Sequence, residues 1–211
     1  MTTTTEKQPL MCQRVAMVQP GQFTTREEGN DRYIEGYFAR FGDYYQLWDG
    51  AMETIAPGAF DDTLGEDIRA LVNHDTTLVL GRNRANTLTL RPDAIGLWGS
   101  ILINQADSDA MNAWARVQRG DVSQCSFGFD ILDQTAEYRD DGSVLWTLRK
   151  VKLYEVSIVT FPAYESTSVQ ARRKDYAELQ KKKRELWRAQ TLARLKGVNH
   201  GTEDHDAAPQ H

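Results

Sequence analysis

Short stretches rich in β-branched and aromatic residues recur along this chain, and they constrain its fold more than any other feature. Turn-forming residues such as Pro92 and Gly142 separate them. This pattern is typical of β-strands joined by tight turns. The predicted strands are residues 12–18, 32–41, 87–90, 96–103, 123–132 and 145–160. The sequence therefore predicts a mainly β fold, in which Asp141 and Gly142 turn the chain between the last two strands.

Helices are expected at three places only. Residues 57–65 begin with proline and end with glycine, which predicts a short helix. Residues 108–119 carry apolar side chains at helical spacing, and Gly120 follows as a stop signal. Residues 165–196 show a heptad-like spacing with polar interruptions, which predicts a helix too polar to form a strong coiled coil alone.

Charge divides the chain into an acidic body and a basic arm. Residues 1–164 carry 15 basic and 23 acidic side chains, whereas residues 165–196 carry 10 basic and 4 acidic ones. A length of 211 residues, 40% of them hydrophobic, suits one domain with an appendage. The predicted parts are a flexible N-terminal segment (1–30), one compact domain (31–164), and a basic helical arm with a polar tail (165–211).

Several classes of protein are excluded by composition. Cys12 and Cys125 belong to no CxxC or Cys/His pattern, so neither a disulfide framework nor a zinc site is indicated, and the reducing cytosol fits best. No cofactor and no metal are expected. The N-terminus lacks the features of a signal peptide, and no stretch approaches the roughly 18 apolar residues of a membrane span.

His74 is the only histidine available for imidazole chemistry inside the predicted domain. The other three lie in a polar C-terminal tail: His200, His205 and His211. His74 closes the apolar run of residues 69–75, where a strand ends at the rim of a sheet. Asp75 is adjacent, but neighbours on a strand point to opposite faces, so Asp75 is a poor choice to orient the imidazole. A lone histidine is more often a structural residue than a catalyst.

Ser126 is the best candidate for a nucleophile. Between residues 123 and 132 the odd positions are apolar and the even positions are not, which predicts that Ser126 projects away from the aromatic face of a strand. Gly128 is expected to leave space for the backbone of a peptide substrate. Ser123 and Ser157 are weaker candidates. The plain alternative is that Ser126 lies on the solvent face of an ordinary strand.

Glu155 is a carboxylate in a segment that is apolar on both faces, and burial there is costly unless the charge is paired. Pairing with His74 would stabilise the imidazolium that forms when a serine gives up its proton. A salt bridge to Arg149 or Arg82 is an equally strong alternative. Cys125 is a further candidate nucleophile, but its position with the apolar side chains favours a small buried filler.

Five segments, in order and spacing, resemble the prohead protease family of tailed bacteriophages. These enzymes mature procapsids and are distantly related to herpesvirus assemblin. The segments are IEGYFA (34–39), IAPGAF (55–60), LVNHD (71–75) with LGR (80–82), RGDVSQCSFGF (119–129) and LYEVSIVTFPAY (153–164). Together they cover about residues 31–172.

The resemblance implies an α+β, mainly β fold: an assemblin-like β-barrel flanked by helices, with a long C-terminal helical arm. It implies a serine endopeptidase with Ser126 as nucleophile, His74 as general base and Glu155 as the third member, where herpesvirus relatives use a second histidine. The oxyanion hole would consist of backbone N–H groups, for which the turn after Thr160 and residues 81–82 are candidates.

The resemblance also implies the partners. They are the major capsid protein with its scaffolding segment, and the protease itself, cleaved inside the procapsid in the host cytoplasm. A homodimer is left open, and no membrane is expected. The basic arm, residues 165–196, is either a solvated helix or a segment that docks to an acidic scaffold helix, and the family resemblance favours docking.

Two other functions are weighed against proteolysis. The chain could be a noncatalytic capsid assembly or scaffolding protein in which Ser126 is only a surface residue. Nucleic-acid binding through residues 181–184 is weaker, because the body is acidic and the arm has few aromatic stacking platforms. Nucleic acid is therefore not expected as a partner.

Overall fold

The computed structural model describes most of the first 161 residues and part of the C-terminal arm. The described residues are 12–16, 23–139, 141–161, 176, 177, 180, 181, 184, 185, 187–189, 191, 192 and 194. The chain divides into two compact units, Met1–Ser168 and Val169–His211. None of the described helices is both long and apolar enough to cross a membrane.

The described residues of the first unit form eleven strands and one α-helix. The strands are β1 (Cys12–Ala16), β2 (Phe23–Glu28), β3 (Asp31–Arg40), β4 (Tyr45–Trp48), β5 (Ala51–Ile55), β6 (Arg69–Val72), β7 (Asp75–Arg82), β8 (Leu88–Pro92), β9 (Gly96–Leu102), β10 (Gln124–Tyr138) and β11 (Val144–Val159). The helix is α1 (Ser108–Arg119), and a short 3-10 helix spans Asn83–Ala85.

The strands form two sheets. The larger has seven strands, with β1-β10-β11-β5-β4 in order, β6 also paired to β11, and β7 paired to β6. The smaller has four strands in the order β2-β3-β9-β8. The mainly β class is confirmed, but the pairings among the described strands do not close into a barrel.

Most of the predicted elements are present. Strands β1, β3, β8, β9, β10 and β11 lie where the periodicity predicts them. Helix α1 has the predicted bounds: the Asp107 side chain accepts the backbone N–H groups of Asp109 and Ala110, and Gly120 ends the helix at φ 86. The predicted turn at Gly142 joins β10 to β11.

The helix predicted for residues 57–65 is wrong. These residues form successive turns, with backbone bonds such as Asp61 N–H to the Gly58 carbonyl and Thr63 N–H to the Phe60 carbonyl. Gly58 has φ 83, a left-handed conformation that interrupts a right-handed helix. Residues 165–196 lie partly outside the described residues; those described between 176 and 194 have helical backbone.

One hydrophobic core joins the two sheets. Cys125, Phe127 and Phe129 of β10 enter it, and the rings of Phe127 and Phe129 stack with centroids 5.0 Å apart. Phe60 meets the Phe127 ring edge-on at 5.8 Å, and Phe38 of the smaller sheet belongs to the same core. Each such ring stabilises the fold by about 1.5–3 kcal/mol. This core fixes the orientation of β10. It therefore determines which residues lie on the opposite face of that strand.

Candidate functional site

His74 lies at the tip of a tight hairpin between β6 and β7. Only Asn73 and His74 separate the two strands, and both have left-handed backbone, with φ 51 and φ 61. Two consecutive left-handed residues define the type I′ turn, for which asparagine followed by glycine is the favoured pair. Histidine takes the second position here, so the imidazole is carried by the turn at the end of this hairpin.

The turn is fastened to the end of β11. Asn73 N–H donates to the Ile158 carbonyl at 2.9 Å, and Thr160 N–H donates to Asn73 Oδ1 at 2.9 Å. The His74 backbone N–H donates to Ser157 Oγ at 3.2 Å. These bonds fix the backbone on the N-terminal side of the His74 Cα atom.

His74 and Glu155 form a buried pair. Their Nδ1 and Oε1 atoms are 2.7 Å apart, and the side chains are only 14% and 8% exposed. The other imidazole nitrogen, Nε2, is buried and has no hydrogen-bond partner among the described residues. A carboxylate on Nδ1 and an unoccupied Nε2 are the arrangement in which a histidine can accept a proton from a hydroxyl.

The alternative partners predicted for Glu155 are engaged elsewhere. Arg82 pairs with Asp67 at 2.6 Å, and Arg149 lies 3.6 Å from Asp133. The Asp75 carboxylate accepts the backbone N–H and the hydroxyl of Thr77 rather than contacting His74. Glu155 therefore pairs with His74 and not with Arg149 or Arg82.

Ser126 lies on β10 in the same part of the sheet. Its Cα atom pairs with Ser157 of β11 on one side and with Val15 of β1 on the other. Its side chain is on the face opposite Phe127, as the alternation predicts, but this face is not open to solvent: Ser126 is 0% exposed. Because directly paired residues project to the same face, Ser126 and Ser157 share a face, and Ser157 contacts the His74 backbone.

The expected role of Gly128 is wrong. Gly128 pairs with Glu155, and a Cβ atom built on it would lie 2.5 Å from Glu155 Oε1. The missing side chain therefore makes room for the carboxylate of the chain itself, not for a substrate backbone. A side chain at residue 128 would displace the Oε1 atom of Glu155, which lies 2.7 Å from His74 Nδ1.

Cys125 is a buried filler, as its position predicts. The thiol is fully buried, and its Sγ atom contacts the Tyr37 carbonyl at 3.1 Å. Burial raises the pKa of the Cys125 thiol, which disfavours the reactive thiolate. Ser123, the weaker serine candidate, is exposed and precedes β10.

Ser157 has a place in the network that the sequence did not reveal. Its hydroxyl donates to Glu155 Oε2 at 2.6 Å and accepts the His74 backbone N–H. A strand places residues two apart on one face, so Ser157 and Glu155 could have been expected to be neighbours. That His74 joins them could not, because 83 positions separate His74 from Ser157.

An open cleft of about 350 Å³ adjoins His74. It is lined by Asn73, His74, Val159, Thr160 and Phe161. Phe161 is 74% exposed, so an apolar ring stands beside the imidazole in contact with solvent.

Two N–H groups in or next to the segments considered for the oxyanion hole are used within the protein. Arg82 N–H donates to Thr87 Oγ1 at 2.9 Å, and Thr160 N–H donates to Asn73. Beyond Phe161, the turn after Thr160 lies outside the described residues.

The sequence profile of the caudovirus prohead serine protease family matches residues 21–182. The chain belongs to the caudovirus prohead serine protease family. It is therefore a serine peptidase, and the family resemblance drawn from the five segments is confirmed. The alternative of a noncatalytic assembly protein is not supported.

The fold of this prohead protease is also similar to that of a solved structure. The bacteriophage T4 capsid assembly protease gp21 matches with a TM-score of 0.50 and 13% sequence identity, over 74% of this chain and 100% of that one. At this identity the likeness concerns the fold alone. No curated protein sequence matches the chain.

Proposed function

We propose that this prohead protease cleaves the scaffolding part of the phage major capsid protein, and itself, during procapsid maturation, with Ser126, His74 and Glu155 as its catalytic residues. The observation that carries the proposal is the buried His74–Glu155 pair with an unpartnered Nε2, beside the strand that bears Ser126. Family membership and the fold of the T4 capsid assembly protease support the substrate class.

In the acylation step the two nitrogens of the imidazole have different roles: Nε2 accepts a proton and Nδ1 contacts Glu155. Ser126 Oγ attacks the carbonyl carbon of the scissile peptide bond, and its proton passes to His74 Nε2. The imidazolium is stabilised by the Glu155 carboxylate on Nδ1. It then delivers the proton to the leaving nitrogen, the C–N bond breaks, and an ester on Ser126 remains.

Deacylation uses the same residues in reverse. His74 Nε2 takes a proton from water, the resulting hydroxide attacks the ester, and the Ser126 oxygen leaves and regains a proton from the imidazolium. The products are a free carboxylic acid and the original enzyme. Ser126 is 0% exposed in this state. The residues that cover it must therefore move before a peptide can bind.

Proteolysis of the capsid protein is tested by co-expressing the enzyme with its cognate capsid protein and identifying the fragments by mass spectrometry. We expect fragments with the wild-type chain and none with Ser126→Ala. Ser100→Ala is a matched control, since Ser100 is also a buried serine but lies on the smaller sheet. Wild-type processing by Ser126→Ala would overturn the assignment.

The basic arm is proposed to dock the enzyme to an acidic scaffold segment before the shell closes. Residues 165–196 carry six more positive than negative charges, which suits an acidic partner. Deleting residues 173–211 should leave cleavage of a peptide intact and reduce incorporation into procapsids in the host cytoplasm. Unchanged incorporation would refute the docking role.

A further inference from the structure

Ser157 makes two hydrogen bonds with the residues that flank the imidazole. Its hydroxyl donates to Glu155 Oε2 at 2.6 Å and accepts the backbone N–H of His74 at 3.2 Å. The side chain is fully buried, so water does not compete for these bonds. One hydroxyl therefore joins the carboxylate to the backbone of the turn that carries the imidazole.

The hydroxyl proton of Ser157 is committed to Glu155. A serine has one proton to donate, and here it goes to a carboxylate oxygen at a short distance. The geometry therefore argues against Ser157 as the nucleophile and for a supporting role.

Ser157 contacts both groups that set the position of the imidazole, the Glu155 carboxylate and the His74 backbone. The Glu155 carboxylate has two oxygens; Nδ1 of His74 occupies one and Ser157 the other, which fixes the carboxylate plane. The His74 backbone is left-handed, at φ 61, a conformation that costs about 1–2 kcal/mol for a side chain other than glycine. The bond from His74 N–H to Ser157 helps to hold it there.

We infer that Ser157 is a positioning residue of this peptidase, which aligns His74 and Glu155 without touching the substrate. The inference rests on the proposed roles of Ser126, His74 and Glu155. Misplacement of a catalytic group by about 1 Å can lower the rate about 100-fold, so loss of this link should reduce turnover more than substrate binding.

The smaller sheet offers a matched control. Ser100 is also buried and donates to a carboxylate, Glu35 Oε1, at 2.8 Å. That carboxylate is paired with Arg26 and not with a histidine. Ser100→Ala therefore removes the same kind of hydrogen bond and a similar volume, without affecting the imidazole.

The experiment measures kcat and KM on a peptide that contains the capsid cleavage site, for Ser157→Ala and Ser157→Cys against Ser100→Ala. Cysteine keeps the shape and supplies only a weak donor, so it covers the case in which the alanine variant fails to fold. We expect kcat to fall about 10- to 100-fold in both Ser157 variants. KM should stay within about twofold, because ground-state binding is retained.

A second readout is the proton NMR resonance of His74 Nδ1–H, which reports the hydrogen bond to Glu155. It should shift in the Ser157 variants and stay in place in Ser100→Ala. Wild-type kcat in either folded Ser157 variant, or an equal loss in Ser100→Ala, would overturn the inference. Failure of the proposed function is distinct: there, Ser126→Ala would remain active.

Discussion

Two carboxylates, the half-buried Glu35 on the smaller sheet and the buried Glu155 on the larger, accept a hydrogen bond from a buried serine and differ in their third partner. In the smaller sheet Glu35 accepts from Ser100 at 2.8 Å and from Arg26 Nε at 2.9 Å. In the larger sheet Glu155 accepts from Ser157 at 2.6 Å and lies 2.7 Å from His74 Nδ1. Each group contains a serine and a glutamate, but the basic side chain is arginine in the smaller sheet and histidine in the larger.

The difference explains why only one pair is suited to catalysis. A guanidinium is charged at every accessible pH and has no site that accepts a proton. An imidazole changes charge near neutrality, and at His74 its second nitrogen has no partner among the described residues. The Glu35 group stabilises the sheet, whereas the Glu155 group can store a proton during a reaction.

The largest effect that would test this comparison comes from neutralising each carboxylate. Glu155→Gln should lower kcat about 10⁴-fold, because an amide no longer selects the required imidazole tautomer or stabilises the imidazolium. Glu35→Gln should leave kcat unchanged and lower only the thermal stability. Steady-state kinetics and thermal unfolding of both variants provide the measurement, and equal kinetic losses would remove the distinction.

A smaller loss is expected from Gly128→Ala. The new Cβ would lie 2.5 Å from Glu155 Oε1, so the carboxylate must turn away from His74. We expect kcat to fall about 100-fold. Gly65→Ala is the matched control, since nothing lies within 4 Å of a Cβ built there. Unchanged kcat in Gly128→Ala would show that the position of Glu155 does not matter.

The backbone of the turn gives a prediction about stability. His74→Gly and His74→Ala both remove the imidazole, but only glycine adopts φ 61 without a steric cost. The glycine variant should be more stable than the alanine variant by about 1–2 kcal/mol. Urea unfolding measures the difference. Equal stability would mean that the turn relaxes and stores no strain.

The smallest effect is expected at the base of the same hairpin. Arg82 and Arg69, on its two strands, both bind Asp67, and Arg82 lowers the pKa of Asp67 to about 2. A lowered carboxyl pKa stabilises the fold above the usual aspartate range, and this contribution disappears as pH falls through about 2. Asp67→Asn should therefore melt slightly below wild type at neutral pH, and the difference should vanish in acid.

Local patterns in the sequence predicted the parts of the fold that depend on neighbouring residues. Helix α1 has its predicted bounds because Asp107 and Gly120 specify its ends independently of the rest of the chain. The alternation along β10 placed Cys125 and Phe127 in the core and Ser126 on the other face. Both signals lie within one element, where period and capping determine the structure.

The contacts between elements could not be predicted in the same way. Glu155 had His74, Arg149 and Arg82 as equally suitable partners, and only the pairing of β6 with β11 decides among them. Gly128 was assigned to the substrate because a sequence does not show which side chain fills the space above a glycine. The hairpin at Asn73 was missed because its second residue is not the usual glycine.

The most direct test of the catalytic assignment is the site of covalent labelling by a fluorophosphonate, in a preparation that cleaves its capsid substrate. Mass spectrometry should locate the phosphonyl group on Ser126 in the wild-type protein and in Ser100→Ala. His74→Ala should remain unlabelled. Labelling of another serine, or labelling of Ser126 in His74→Ala at the wild-type rate, would contradict the account.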